Sequence, residues 1–222
     1  MIANMDKQFR NPTVADQLIG ELDRALNNIF CKQVSSRSYP AAEVPAETTT
    51  ELNPDEKKLA AGLMRVNHSG EMAAQALYQG QSLTARDPKL VDKLRHASIE
   101  ESDHLNWCRN RLDELGERPS LFDPLWYAGS FAIGMAAGIA GDRWNLGFLA
   151  ETEHQVVRHL DSHLNRLPEA DARSRAIVEQ MKIDEQGHAE LAEDLGAAKL
   201  PQPIKEMMKL TSRVMTSVAE KV

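Results

Sequence analysis

Apolar residues recur every three or four positions over long stretches of this chain, a spacing that predicts amphipathic helices. Four long helices are expected over residues 54–84, 88–115, 142–166 and 170–195. Residue types that begin and end helices mark their limits: Asn53-Pro54, Asp87-Pro88, Gly116 to Pro119, Leu167-Pro168 and Gly196. A shorter amphipathic helix is expected over 13–31, and residues 33–53 are expected to form a linker without a core-forming pattern. We therefore predict an all-α protein with an N-terminal unit, 1–50, and a main domain, 51–222.

The segment between the second and third long helices is too long for a simple turn, and its residues 124–141 carry no charge. An uncharged run of that length just reaches the threshold for a membrane span, although four glycines lower its hydrophobicity. We expect an extra helix that packs across the bundle and dips partly into a bilayer, with a true span as the alternative. Gly134 and Gly138 have the spacing that allows close helix contact.

A last helix is expected at about 200–220, where apolar residues form one side and basic residues outnumber acidic ones. This pattern is typical of a helix that rests on an anionic membrane surface. It is equally typical of a helix that caps the bundle and turns its basic face to water. The pattern leaves both interpretations open.

Charge and cysteine content narrow the class of protein. The formal net charge of −7 argues against a nucleic-acid-binding role. Cys31 and Cys108 lie far apart and form no CxxC pair, which fits a reducing compartment and argues against a thiolate metal site. The N-terminal residues, including Asp6, lack the pattern of a secretory or organelle-import leader. We therefore expect a cytosolic protein, or one bound to the cytosolic face of a membrane.

Two Glu-x-x-His pairs provide the candidate chemistry. In each pair the carboxylate and the imidazole share one helix face, and that face is otherwise apolar. A lone glutamate on an apolar face lies about thirty residues before each pair. Two such repeats inside a four-helix bundle are the ligand set of ferritin-like di-iron or di-manganese proteins. The predicted ligands are Glu71, Glu101, His104, Glu153, Glu185 and His188. We therefore predict a ferritin-like four-helix bundle with one long crossover.

Other interpretations of these residues remain open. The four glutamates could instead form buried ion pairs with Arg65, Arg95 or Arg143. Oxygen and imidazole ligands favour iron or manganese but do not exclude zinc. Asp184 and Asp103 are candidates for orienting the ligating imidazoles. A third pair, Glu151 and His154, shares its face with Arg158 and Ser162 and is expected to face water, and His163 is expected at the surface or boundary.

Six segments of the chain resemble one known family. They are GLMRVNHSGE (62–71), ALYQGQ (76–81), EESDHLNWC (100–108), LGERPS (115–120), LGFLAETE (146–153) and MKIDEQGH (181–188). Together they are similar to the bacterial type of demethoxyubiquinone hydroxylase, and the resemblance runs from about residue 50 to the C-terminus.

The resemblance implies a di-iron monooxygenase of ubiquinone biosynthesis that hydroxylates a polyprenyl methoxy-methyl-benzoquinol with O₂. It implies that the six residues bind two iron ions, with Glu101 and, as a second candidate, Glu153 as bridging ligands. It also places His159 beside the metal site. Leu160 stands where some members, mainly eukaryotic, have a tyrosine. Tyr78 is a candidate to replace that tyrosine, on the sole ground that its side chain is expected to face inward.

The implied partners are the prenylated quinol, the membrane surface, other ubiquinone-biosynthesis proteins and further copies of the chain. The implied location is peripheral, on the cytoplasmic face of the bacterial inner membrane. The electron donor is external and unidentified, with NADH as one candidate. Two other functions compete: a ferritin-like iron oxidase or peroxide scavenger, and a non-catalytic prenyl-quinone-binding protein.

Overall fold

Helices account for most of the chain. The computed structural model describes residues 13–45 and 51–222, and within them it contains seven α-helices, one short 3-10 helix (Pro40–Ala42) and no strand. The α-helices are α1 (Val14–Phe30), α2 (Pro54–Thr84), α3 (Pro88–Glu114), α4 (Asp123–Ile139), α5 (Asp142–Arg166), α6 (Ala172–Asp194) and α7 (Gln202–Ala219). The predicted all-α class is confirmed, and the four long helices lie within two residues of their predicted limits.

Local capping explains these limits. The Asn53 side chain accepts hydrogen bonds from the second and third backbone amides of α2, and Pro54 occupies the first helical position. Asp87 and Asp171 cap α3 and α6 in the same manner. Gly116 follows α3 with a φ of 70°, a conformation that glycine adopts at little cost.

The four long helices form the bundle, in which α2 packs against α3 and α5 packs against α6. The crossover helix α4 lies against α2. Its start is held by Asp123, which accepts a hydrogen bond from Ser69 Oγ at 2.6 Å and lies 3.0 Å from His68 Nδ1. In the described residues, no helix has both the length and the apolarity needed to cross a bilayer.

Glycines allow α2 and α4 to approach closely. A Cβ added to Gly134 would lie 2.3 Å from the carbonyl oxygen of Leu77, and one added to Gly80 would lie 2.3 Å from that of Phe131. Neither backbone could accept that atom without moving, so the close helix contact predicted from the glycine spacing is confirmed.

Replacing Gly134 with alanine is expected to destabilise the protein by about 2 kcal/mol, because the added methyl group forces α4 away from α2. Gly129→Ala is the matched control on the same helix, since nothing lies within 4 Å of an added Cβ there. This control is expected to be neutral or about 1 kcal/mol more stable, because alanine favours an exposed helix over glycine. Urea denaturation of both variants measures the difference, and equal midpoints would contradict the packing argument.

The N-terminal segment contacts the bundle. Ala41 is fully buried and Tyr39 packs against the same core, so the expectation that this stretch lacks core residues is wrong at these positions. Arg37 Nη1 lies 2.7 Å from Asp184 Oδ2 on α6. The division of the chain at residue 50 stays a prediction, and residues 46–50 of the predicted linker lie outside the described residues.

Helix α7 is attached to the bundle near both ends. Lys205 Nζ lies 2.6 Å from a carboxylate oxygen of Glu151, and the Glu220 backbone carbonyl accepts a hydrogen bond from Arg65 at 3.2 Å. The outer side of α7 nevertheless exposes Met207, Leu210 and Val214. The helix therefore caps the bundle and still presents an apolar stripe.

Candidate metal centre

All six predicted ligands are buried inside the bundle. Each side chain extends from an inward position of a long helix, and none is more than 7% exposed. Helix α2 provides Glu71, α3 provides Glu101 and His104, α5 provides Glu153, and α6 provides Glu185 and His188.

Glu101 and Glu185 stand between the two imidazoles. The two oxygens of Glu101 lie 3.3 Å from His104 Nδ1 and 3.3 Å from His188 Nδ1. Those of Glu185 lie 3.2 Å and 3.1 Å from the same two nitrogens. Ligand atoms from Glu71, Glu101, His104 and Glu185 all lie within 4.8 Å of one another. Each of the two central carboxylates can therefore reach two positions, as a bridging ligand must.

Glu153 joins the cluster through Tyr78. The Tyr78 hydroxyl donates a hydrogen bond of 2.5 Å to Glu153 Oε1, and both side chains are buried. Burial and the negative charge of Glu185 raise the pKa of Glu153 well above its usual range. Burial also raises the pKa of Tyr78, so the phenol keeps the proton that it donates. The bridging role implied for Glu153 has less geometric support than the same role for Glu185.

Electrostatics show that the cluster needs positive charge. Burial and the charge of Glu101 raise the pKa of Glu71 well above its usual range. Burial opposes ionisation of Glu101 too, but the His104 and His188 imidazoles hold its pKa well below that range. Burial alone would lower the pKa of His188, whereas Glu101 and Glu185 raise it to about 12. Protons neutralise the carboxylates here, and divalent cations could replace them.

Each imidazole turns its Nε2 toward the acidic residue that directly precedes the glutamate of the other Glu-x-x-His pair. His104 Nε2 lies 2.9 Å from Asp184 Oδ2, and His188 Nε2 lies 2.5 Å from Glu100 Oε2. Because both carboxylates accept the Nε2 proton, Nδ1 of each ring faces the cluster and offers a lone pair to a metal ion once its own proton is released. Asp184 thus contacts an imidazole as predicted, and its pKa falls to about 2 because hydrogen bonds from His104 and Arg37 outweigh burial.

Sequence reasoning missed Glu100 and misplaced Asp103. Asp103 accepts hydrogen bonds from Ser35 and Ser36 of the N-terminal segment, so its predicted role in orienting an imidazole is wrong. The signal for Glu100 was present in the sequence. An acidic residue directly precedes the glutamate of both pairs, as Glu100-Glu101 and Asp184-Glu185.

The side chains fit a dinuclear site for oxygen- and nitrogen-binding metals. Glu101 Oε1 is buried and makes no hydrogen bond among the described residues, although His188 Nδ1 lies 3.3 Å from it, so this oxygen is available to a metal ion. The alternative of arginine ion pairs lacks support in the described chain, since Arg65 pairs with Glu117 and Arg95 with Asp92. Carboxylate and imidazole donors without a thiolate suit iron or manganese.

Two residues of α5, His163 and Glu151, differ from expectation, and the position implied for His159 beside the metal site stays a prediction. His163, predicted at the surface, is only 1% exposed, and its ring centroid lies 3.9 Å from that of His159. His159 has no hydrogen bond, ion pair or ring contact with the six ligand candidates in the described structure. Burial lowers its pKa to about 4. Glu151, predicted to face water, is buried and paired with Lys205 because α7 covers this part of α5.

A four-helix bundle with a buried cluster of glutamates and histidines defines the ferritin-like class. The solved structure of a bacterioferritin-related protein from Bacteroides fragilis, a dodecameric thioferritin, has a similar fold with a TM-score of 0.53. It is 16% identical, and the match covers 62% of this chain and 84% of that one, so it supports the fold alone.

Sequence comparison identifies the family. The chain belongs to the family described as Ubiquinone biosynthesis protein COQ7, whose model matches residues 58–219. The chain is 56% identical over 207 residues to the 3-demethoxyubiquinol 3-hydroxylase of Chromobacterium violaceum, a match that covers 93% of this chain and 99% of that relative. The enzyme of the same name from Variovorax paradoxus is 55% identical, with 93% and 98% covered.

Proposed function

We propose that this protein is an O₂-dependent di-iron monooxygenase that hydroxylates demethoxyubiquinol in ubiquinone biosynthesis. The observation that carries the proposal is the buried cluster in which Glu101 and Glu185 each face both imidazoles. The similarity to 3-demethoxyubiquinol 3-hydroxylases supports the choice of substrate.

The proposed ligand roles follow from these positions. Glu101 and Glu185, which each face both imidazoles, would be shared between the two iron ions, and His104 and His188 would bind through Nδ1. Glu71 and Glu153 would complete the ligand set. When bound, the iron supplies the activation of O₂ that oxygen transfer to the ring requires.

The other side chains hold this arrangement in place. Asp184 and Glu100 accept the Nε2 protons and so keep both imidazoles in the tautomer that leaves Nδ1 free. Tyr78 fixes the orientation of Glu153 through its hydrogen bond. The leucines and alanines that pack around Tyr78 on one side of the site would exclude water and suit an uncharged ring.

The proposed reaction replaces one ring C–H bond with C–OH. One atom of O₂ enters the ring and the other leaves as water, which requires two electrons and two protons from an external donor. NADH is one candidate for that donor. The test is to supply iron-loaded protein with a reductant, O₂ and a demethoxyubiquinol analogue, and to measure a gain of one oxygen atom by mass spectrometry. Consumption of O₂ or peroxide with no change in the quinol would favour an iron oxidase or peroxide scavenger instead.

The proposal includes peripheral attachment to the cytoplasmic face of the inner membrane through α7. The exposed stripe of Met207, Leu210 and Val214 lies beside Lys209 and Arg213, a combination that suits an anionic lipid surface. A polyprenyl quinol resides in the bilayer, so attachment there brings the enzyme to its substrate. Association with other ubiquinone-biosynthesis proteins or with further copies of the chain stays a prediction.

Deleting residues 199–222 is expected to weaken binding to anionic vesicles more than it lowers iron content, because the six ligands all lie outside the deleted segment. Co-sedimentation with vesicles and metal analysis measure the two effects. Leu210→Glu is the milder variant: it places a charge on the exposed stripe and leaves the contacts at Lys205 and Glu220 intact. Equal loss of vesicle binding and iron, or undiminished vesicle binding by Leu210→Glu, would contradict the role of α7.

A further inference from the structure

The core is packed differently on the two sides of the metal centre. On the side toward Trp107, Ile177 and Met181, the buried side chains are mostly large, at most 4% exposed, and form one cluster. The opposite side, here called the alanine–leucine core, consists mainly of small and medium side chains: Ala74, Tyr78, Leu90, Leu94, Ala97, Leu146, Leu149, Ala150 and Ala192. On all four long helices the ligands separate the two clusters along the chain.

The alanine–leucine core contains a gap of about 20 Å³, enough for roughly one water molecule. Tyr78 and His188 line its inner end, so the gap reaches the metal centre. Leu191 and Leu195 line it as well and are 36% and 43% exposed, so they form its mouth at the surface. The gap therefore joins the outside of the bundle to two side chains of the site.

Several large hydrophobic residues are exposed at this end of the bundle, and the exposed Lys93 also lines the gap. Leu83 at the end of α2, Ile139 at the end of α4 and Trp144 at the start of α5 are all exposed large hydrophobic residues. They lie at the same end of the bundle as Leu191 and Leu195, near the end of α6. A long hydrocarbon chain attached to a ring in the gap would meet an apolar rim here instead of open water.

We propose that the quinol ring reaches the metal centre through this gap, between Leu191, Leu195 and the small side chains Ala97 and Ala192, and that it lies against Tyr78 and His188. This inference rests on the proposed function and names the path that the substrate takes. The gap as it stands holds only about one water molecule, so entry of a ring requires the partly exposed Leu191 and Leu195 side chains to move.

Two substitutions test the path. Leu191→Trp narrows the mouth, and Ala192→Leu fills the inner part beside His188. Each is expected to raise the KM for a short-tail quinol about ten-fold or more, in line with the effect of misplaced methylenes in apolar pockets. Iron content is expected to stay at the wild-type level. Leu125→Trp is the control, because Leu125 is an exposed helical leucine that does not line the gap.

A second measurement separates the path from the reaction. Equilibrium dialysis of a short-tail benzoquinone with metal-free protein is expected to show the same ten-fold weakening in Leu191→Trp, and no change in Leu125→Trp. Leu191→Ala is expected to admit a bulkier ring than the wild type does. Unchanged KM and unchanged quinone binding in both narrowing variants would overturn the path while hydroxylation by the wild type continues. Failure of the wild type to hydroxylate any quinol would instead overturn the proposed function.

Discussion

Replacing Glu185 with alanine is expected to lower product formation by more than about a hundred-fold and to reduce the iron bound by the purified protein. Glu185 presents one oxygen to the His104 side of the cluster and the other to the His188 side, so both metal positions lose a ligand. Loss of a residue that merely supports a ligand already costs about 10–100-fold in affinity or activity, and a bridging ligand should cost more. Metal analysis and the mass-spectrometric assay measure the two effects.

Glu190→Ala is the matched control for this prediction. Glu190 lies on the same helix, but it is exposed and accepts a hydrogen bond from Gln186, outside the cluster. Its replacement is expected to leave iron content and activity at wild-type levels. If Glu185→Ala retained both iron and activity, the ligand set would be wrong. If the wild type bound quinone without converting it, and Glu185→Ala bound it equally well, the protein would be a quinone carrier.

The helices and the inward ligands could be predicted from the sequence because both depend on local pattern. Proline and asparagine at Asn53-Pro54 start a helix through contacts within one turn, and the structure starts α2 there. Residues three or four apart share a helix face wherever the helix lies. For that reason Glu153 could be assigned to the inside, and Glu101 paired with His104, before any neighbour was known.

The errors arise where a second element covers a face. Glu151 has a polar helical neighbourhood, which correctly predicts an outward face of α5, yet α7 lies over that face and buries it. Ala41 and Arg37 carry no periodic signal, and only the folded chain brings them against the bundle. The pairing of Glu100 with His188 likewise crosses from α3 to α6. Its repeated signal lies in the sequence, but its partner is a tertiary contact.

Rising pH is expected to destabilise the metal-free protein and to increase the stabilisation that metal provides. Glu71 and Glu153 have folded pKa values raised well above the ordinary value of 4.5 by burial first and by neighbouring carboxylates second. Above pH 4.5 the unfolded chain therefore loses protons that the folded chain keeps, and the free energy of unfolding falls as pH rises.

His104 and His188 act in the same direction, because nearby carboxylates raise their pKa values. His159 and His163 oppose them up to about pH 6.5, because burial lowers their pKa values to about 4 and about 2. The pKa of His188 rises from 6.5 to about 12, so its stabilising effect is complete below pH 6.5 and is lost as pH rises toward the folded value. Asp184 has a pKa lowered from 3.8 to about 2, so the stability that its charged form provides is fully present above pH 3.8 and is lost only in acid. Above about pH 7, where His159 and His163 are neutral in both states, the sum is a loss of stability in the metal-free protein up to about pH 8.5.

Metal binding reverses this dependence, because the ligands must be deprotonated carboxylates and neutral imidazoles, and each proton released makes binding tighter at higher pH. Urea denaturation of chelator-treated protein, with and without Mn²⁺ or anaerobic Fe²⁺, is expected to show the two curves diverging as pH rises. The variant Glu71→Gln removes one carboxylate and should make the metal-free protein less sensitive to pH. If the metal-free protein instead became more stable as pH rose over this range, the pKa values of Glu71 and Glu153 would not be raised in the folded state. The cluster would then have no buried negative charge that two cations are needed to neutralise.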